Sequence, residues 1–103
     1  MEVQKPGDDF AAYRKEIKQG ADIFEKSFQG MQTAKFPAQK AEFEKSTQEA
    51  LQAIQDACKG LANEQLNKVK DQLTADYQSY LTNPNAENQE KVQHDIDDLR
   101  NST

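Results

Sequence analysis

The sequence predicts an all-α fold, an antiparallel bundle of three to four amphipathic helices with short connections. Three observations carry this expectation. Apolar residues return every three or four positions from Phe10 to Leu99, the spacing that lines one face of a helix. β-Branched residues are few (Val3, Val69, Val92, Ile17, Ile23, Ile54, Ile96 and some Thr), whereas Gln, Lys and Glu abound, so helix is favoured over sheet. Helix stop and start residues fall between the periodic stretches.

A chain of 103 residues has room for one domain around one core. We read residues 1–7 as a flexible arm, broken by Pro6-Gly7, and 8–103 as a single helical-bundle domain. Asp8 is a good N-cap, with Asp9 favourable in the first turn. The first helix is expected over about 8–29, with Phe10, Ile17, Phe24 and Met31 seven apart on its stripe. Gly20 and Ser27 on the same face let a neighbouring helix approach closely, and Gly30-Met31 has the glycine-then-apolar form of a Schellman ending.

Pro37 suits the first turn of a second helix over about 37–59, with Phe36 placed to staple back onto that turn. Gly60-Leu61 repeats the glycine-then-apolar ending. Two independent caps explain that thirty-residue spacing with less assumption than a repeat. Asn63 can cap a third helix over 63–82. Leu51, Ile54, Cys58, Ala62, Leu66, Val69, Leu73, Tyr77 and Tyr80 keep helical phase straight through Gly60, so one continuous helix over 37–82 competes with a hairpin broken at Gly60. The stop and start signals at Gly60, Leu61 and Asn63 favour the hairpin. Thr82-Asn83-Pro84-Asn85 is the clearest turn, and a short charged fourth helix follows over about 86–100. With only Val92, Ile96 and Leu99 to bury, it is expected to be the least stable element.

Charge and composition exclude several functions. The net charge is −5, and residues 61–103 carry four Lys/Arg against eight Asp/Glu, while residues 1–60 carry nine against ten. Nucleic acid demands a basic footprint, and an anionic membrane surface demands the same. An acidic chain instead suits a basic protein partner. No apolar run approaches membrane-spanning length, so integral membrane insertion is not expected. Cys58 is the lone cysteine, which fits the cytoplasm, with secretion left open for a chain whose leader has been removed.

The inventory for chemistry is thin. Glu87, Glu90, His94 and Asp98 share one helical face, but a bundle metal site draws ligands from several helices and no Glu-x-x-His pair occurs. A solvated face with a His94–Asp98 contact is the expectation. Asp95, Asp97 and Asp98 lack the alternate spacing and glycine of a calcium loop. Cys58 has no base beside it and reads as a core residue. No catalytic residue, cofactor site or metal ligand set is therefore assigned. The broad apolar arc of the first helix, with Ile23 beside Phe24, Phe28 and Met31, marks these four as a candidate interaction surface for a protein partner or a second copy.

Two resemblances accompany these readings. Phe24-Glu-Lys-Ser-Phe-Gln-Gly-Met-Gln, together with Ala50-Leu-Gln-Ala-Ile, resembles phasins, the Gln/Ala-rich helical coat proteins of storage granules. That resemblance implies an amphipathic coat spreading on an apolar surface. Residues 72–101, with Asn83-Pro84-Asn85 between two helices, are similar to the helical hairpin of type III secretion needle subunits, although the first helices here are longer than in such a subunit. Both are likenesses of composition and layout, and neither assigns a role to a residue. The expected function is a non-catalytic helical interaction module: an adaptor, a chaperone-like binder or an assembly subunit. A phasin-like coat protein and a metal-binding helical protein centred on His94 are the alternatives.

Overall fold

A computed structural model of the chain describes residues 6–103, with side chains from Ala11 onward. It is an all-α bundle of four helices: α1 (Pro6–Thr33), α2 (Pro37–Leu61), α3 (Glu64–Thr82) and α4 (Ala86–Ser102), and no strand occurs among the described residues. Residues 1–5 of the expected arm and the side chain of Phe10 lie outside what is described. Pro6 and Gly7 belong to α1 rather than to an arm. Proline is tolerated in a first turn because its missing N–H would have no intrahelical partner there.

The first helix also ends later than expected. It passes through Gly30 to Thr33, and the Ala34 N–H bonds the Gly30 carbonyl at 2.8 Å. Gly30 is not a cap and no glycine has a positive φ. Its role is spatial, because a Cβ on Gly30 would sit 2.7 Å from the Phe43 ring. Phe36 caps α2 in extended conformation without a side-chain bond, and Pro37 opens the helix. The expected staple does not form, since Phe36 is exposed.

The chain does break between α2 and α3, but not at Gly60. Gly60 and Leu61 are helical, and the left-handed residue is Ala62, at φ 52° and ψ 40°, whose N–H reaches the Cys58 carbonyl at 3.1 Å. Asn63 then accepts from the Leu66 N–H at 3.1 Å and starts α3. Asn85 caps α4 in the same way through the Asn88 N–H, at 2.8 Å. Asn88 Nδ2 donates to the Asn83 carbonyl at 2.9 Å, closing the turn from the far side.

The helices form a ring in which α1 touches α2 and α4, and α3 touches α2 and α4. The α1–α2 seam is the most extensive contact and the α2–α3 seam the least. Along the first seam the two helices exchange contacts reciprocally. Tyr13 of α1 lies on Gly60 of α2, Phe43 of α2 lies on Gly30 of α1, and Gly20 takes Ile54 midway. Each aromatic and each of these two glycines lies thirty residues from its counterpart. The buried positions follow the same offset: Ile17 and Thr47, Ala21 and Leu51, Phe24 and Ile54, Ser27 and Ala57, Phe28 and Cys58. The thirty-residue spacing is thus a repeat of packing, a near two-fold exchange across an antiparallel seam, rather than a pair of caps.

The core is one cluster. Phe24 meets Tyr77 edge-on at 5.3 Å between centroids, and Phe28 meets Tyr80 at 4.8 Å. Thr47 is buried and donates to the Phe43 carbonyl at 2.7 Å. The hydroxyl of Tyr77 lies 3.9 Å from the Met31 sulfur, and burial pushes its phenol up to about 12.

Candidate functional site

Only one of the four residues expected to form an interaction surface reaches the surface. Phe24, Phe28 and Met31 are buried, and Ile23 is 53% exposed. The arc is wide because α1 lies between α2 and α4 and also sends Phe24, Phe28 and Met31 onto Tyr77 and Tyr80 of α3, so most of its extra apolar width serves the core.

Ile23 stands over a groove of about 490 Å³ between α1 and α2. Gly20, Ala50 and Ala53 form its floor, because their side chains are too short to fill the space between the helices. Glu16, Glu49 and Asp56 lie along its rim, and no Lys or Arg lines it. An apolar trough edged by one sign of charge focuses a negative potential along its length. The second concavity, between α2 and α3, is polar and carries both signs through Asp56, Lys59, Lys70 and Asp71.

Polar groups gather on the opposite hairpin. Arg100 of α4 donates to Asp22 Oδ1 and Glu25 Oε1 of α1, both at 2.8 Å, and Gln93 Nε2 donates to Glu25 Oε2 at 2.6 Å. The guanidinium of Arg100 holds the Glu25 carboxyl below the usual carboxylate range, against a smaller opposing effect of burial. Asp95 is the one charged residue among the buried polar groups, 6% exposed, and no donor reaches its Oδ2. Burial, and then the Asp76 carboxyl facing it from α3, push its pKa up to about 8. Asp76 itself accepts from Gln72 Nε2 at 3.2 Å.

His94 makes the expected contact, with Nδ1 at 3.2 Å from Asp98 Oδ2 on the solvent side of α4. Of the other acids on that face, Glu87 turns to Lys91 at 3.8 Å. The residue that sequence reasoning missed is Asp95. It lies one position from His94 and three from Asp98, and one ligating atom from each of the three lies within 4.8 Å of the others. An Asp among Val92, Ile96 and Leu99 on the apolar stripe was the available signal. Cys58 is fully buried, and desolvation pushes its thiol up, which leaves it unreactive.

The fold and these surfaces define a small all-α bundle with an acidic apolar groove and a polar cluster on a separate seam. No known protein family, curated protein or solved structure matches this chain. No described helix is long and apolar enough to cross a membrane.

Proposed function

We propose that this chain is a non-catalytic interaction module whose α1–α2 groove seats a basic amphipathic helix of a protein partner. The observation that carries the reading is Ile23, half exposed over a floor of Gly20, Ala50 and Ala53, with Glu16, Glu49 and Asp56 the only charged residues of the lining. Exposed large apolar side chains beside a concavity mark docking sites more often than isolated ones do. Ser46 to Asp56 along one wall span about 15 Å, enough for about three turns of a docked helix with anchors at i, i+3, i+4 and i+7. The acidic rim supplies steering and orientation, and the groove floor supplies contact area.

A synthetic basic amphipathic peptide tests this by NMR titration. Shifts confined to Ile23, Ala50 and Ala53, weakening with salt and lost in Ala53→Arg, support the groove. Equal binding of a charge-reversed peptide, or shifts centred elsewhere, refutes it. Loss of the monomer in sedimentation, abolished by Ile23→Glu, would assign the groove to a second copy of the chain instead.

The phasin-like reading keeps one structural support. Phe36 and Phe43, two large apolar side chains near the α1–α2 turn, are exposed. A coat of this kind loses near-ultraviolet signal on an oil surface while keeping its helicity. A chain that keeps both signals there is not a coat.

A further inference from the structure

We infer that His94, Asp95 and Asp98 of α4, faced by Asp76 of α3, form a binding site for a first-row divalent cation of the zinc type. The inference is independent of the groove reading and concerns the opposite hairpin.

Three observations converge on it. One ligating atom from each of His94, Asp95 and Asp98 already lies within 4.8 Å of the other two, so small side-chain rotations bring all three onto one ion. Asp98 lies between the other two on α4, at i+4 from exposed His94 and at i+3 from buried Asp95, so it shares a face with each. Second, Asp95 is nine-tenths buried and its Oδ2 has no hydrogen-bond donor among the described residues. A buried carboxylate without a donor is costly, and its nearest polar neighbour across the seam, Asp76, is another acceptor. Third, the Asp76 carboxyl faces Asp95 from a second helix and is held in place by Gln72 Nε2 at 3.2 Å, the kind of supporting bond found around a metal site.

A proton shared between Asp76 and Asp95 would satisfy that pair alone. It leaves the neighbouring His94–Asp98 pair, an i,i+4 contact at 3.2 Å, as a separate interaction on the same turn of α4. A cation held by His94, Asp95 and Asp98 would join the two interactions and give the Asp95 carboxylate the partner it lacks, and Arg100, the arginine of α4, is engaged elsewhere by Asp22, Glu25 and Asp97. One imidazole with several carboxylates suits Zn²⁺, Co²⁺ or Mn²⁺, whereas calcium favours oxygen alone.

Zinc chloride titrated calorimetrically into the untagged, chelator-stripped chain near neutral pH is the test. We expect one saturable site, with the imidazole resonances of His94, the only histidine, shifting in step with the first equivalent. Asp95→Asn should weaken binding by at least about tenfold while the chain stays folded, because Asn fills the same space and donates to Asp76. His94→Gln, at an exposed position that cannot disturb the fold, should weaken it comparably. Undiminished binding in either variant overturns the site. So does the absence of saturable heat, or a His94 resonance that does not move, and either would leave a shared proton as what satisfies Asp95.

Discussion

The two hairpins of this molecule are held by different physics. The α1–α2 pair is long, interlocked by reciprocal glycine–aromatic contacts, and poorly marked at its ends: α2 has no side-chain N-cap and closes on a left-handed alanine. The α3–α4 pair is shorter, and each of its helices starts at an Asn that accepts a backbone N–H. It also carries Asp95, the one buried Asp, Glu, Lys or Arg among the described residues, and the cross-ties of Arg100 to α1. Long helices with wide apolar faces need little local punctuation, because burial fixes where they lie. Short, polar helices bury little and depend on caps and directed bonds.

The largest effect should come from the first hairpin. Phe24→Ala removes a fully buried ring that touches Phe28 and Tyr77 and should cost about 3–5 kcal/mol. Against a total stability of roughly 5–15 kcal/mol, denaturant titration should show the whole chain unfolding earlier in a single step. A loss confined to α1 and α2, with α3–α4 retained, would break the comparison by showing two independent units.

The second hairpin should respond in the opposite direction. Above about pH 8, Asp95→Asn in the metal-free chain should stabilise by about 1–3 kcal/mol, because there it removes a buried, ionised carboxylate without a donor. The same group sets a pH slope. Its folded pKa is raised from 3.8 to about 8 beside Asp76 and Asp98, so the folded chain holds a proton that the unfolded chain releases. That contribution is complete below the unfolded value and is lost as pH rises through the folded one. Glu25 behaves inversely. Arg100 holds its pKa below 4.5, and its contribution is present above that value and lost on acidification. With a chelator present, thermal melts should therefore show stability falling from weakly acidic towards alkaline pH, and Asp95→Asn should flatten that limb. A limb unchanged in the variant would assign the slope to another group.

Two glycines sharpen the account of the first seam. A Cβ on Gly20 would meet Ile54, which is fully buried and has nowhere to go, at 2.8 Å. Gly20→Ala should lower the denaturation midpoint by about 1 kcal/mol even though alanine favours helix. At Gly60 the obstacle is the ring of half-buried Tyr13, which can swing outward, so Gly60→Ala should be close to neutral. Equal costs at both sites would mean that Tyr13 is as fixed as Ile54.

The smallest effect concerns the junction between the hairpins. Ala62 holds a left-handed conformation that costs a non-glycine residue roughly 1–2 kcal/mol, partly offset by the greater freedom of an unfolded glycine. Ala62→Gly should therefore stabilise by about 0.5–1 kcal/mol in the same assay. A decrease would argue that Ala62 is not left-handed in solution.

The sequence by itself determined the helical type of the fold, the turn at Asn83–Asn85 and the cap at Asn63, because these depend on neighbours within one turn of chain, and it left the number of helices at three to four. It favoured a break near residue 60 over one continuous helix, but placed that break at the residue that usually takes a left-handed cap. Tertiary structure moved that role to Ala62 and gave Gly60 to Tyr13. It likewise turned Phe24, Phe28 and Met31 inward, left Ile23 alone at the surface, and brought Asp76 to Asp95. One pair of segments isolates the reason. Phe24-Glu25-Lys26-Ser27 and Phe43-Glu44-Lys45-Ser46 are the same four residues on two helices. Phe24 is fully buried and Glu25 is held by Arg100, while Phe43 is 37% exposed against a glycine and Ser46 lines the groove. Identical local sequence gives identical helix. Which face meets which neighbour depends on contacts tens of residues away, and periodicity within one helix carries no record of them.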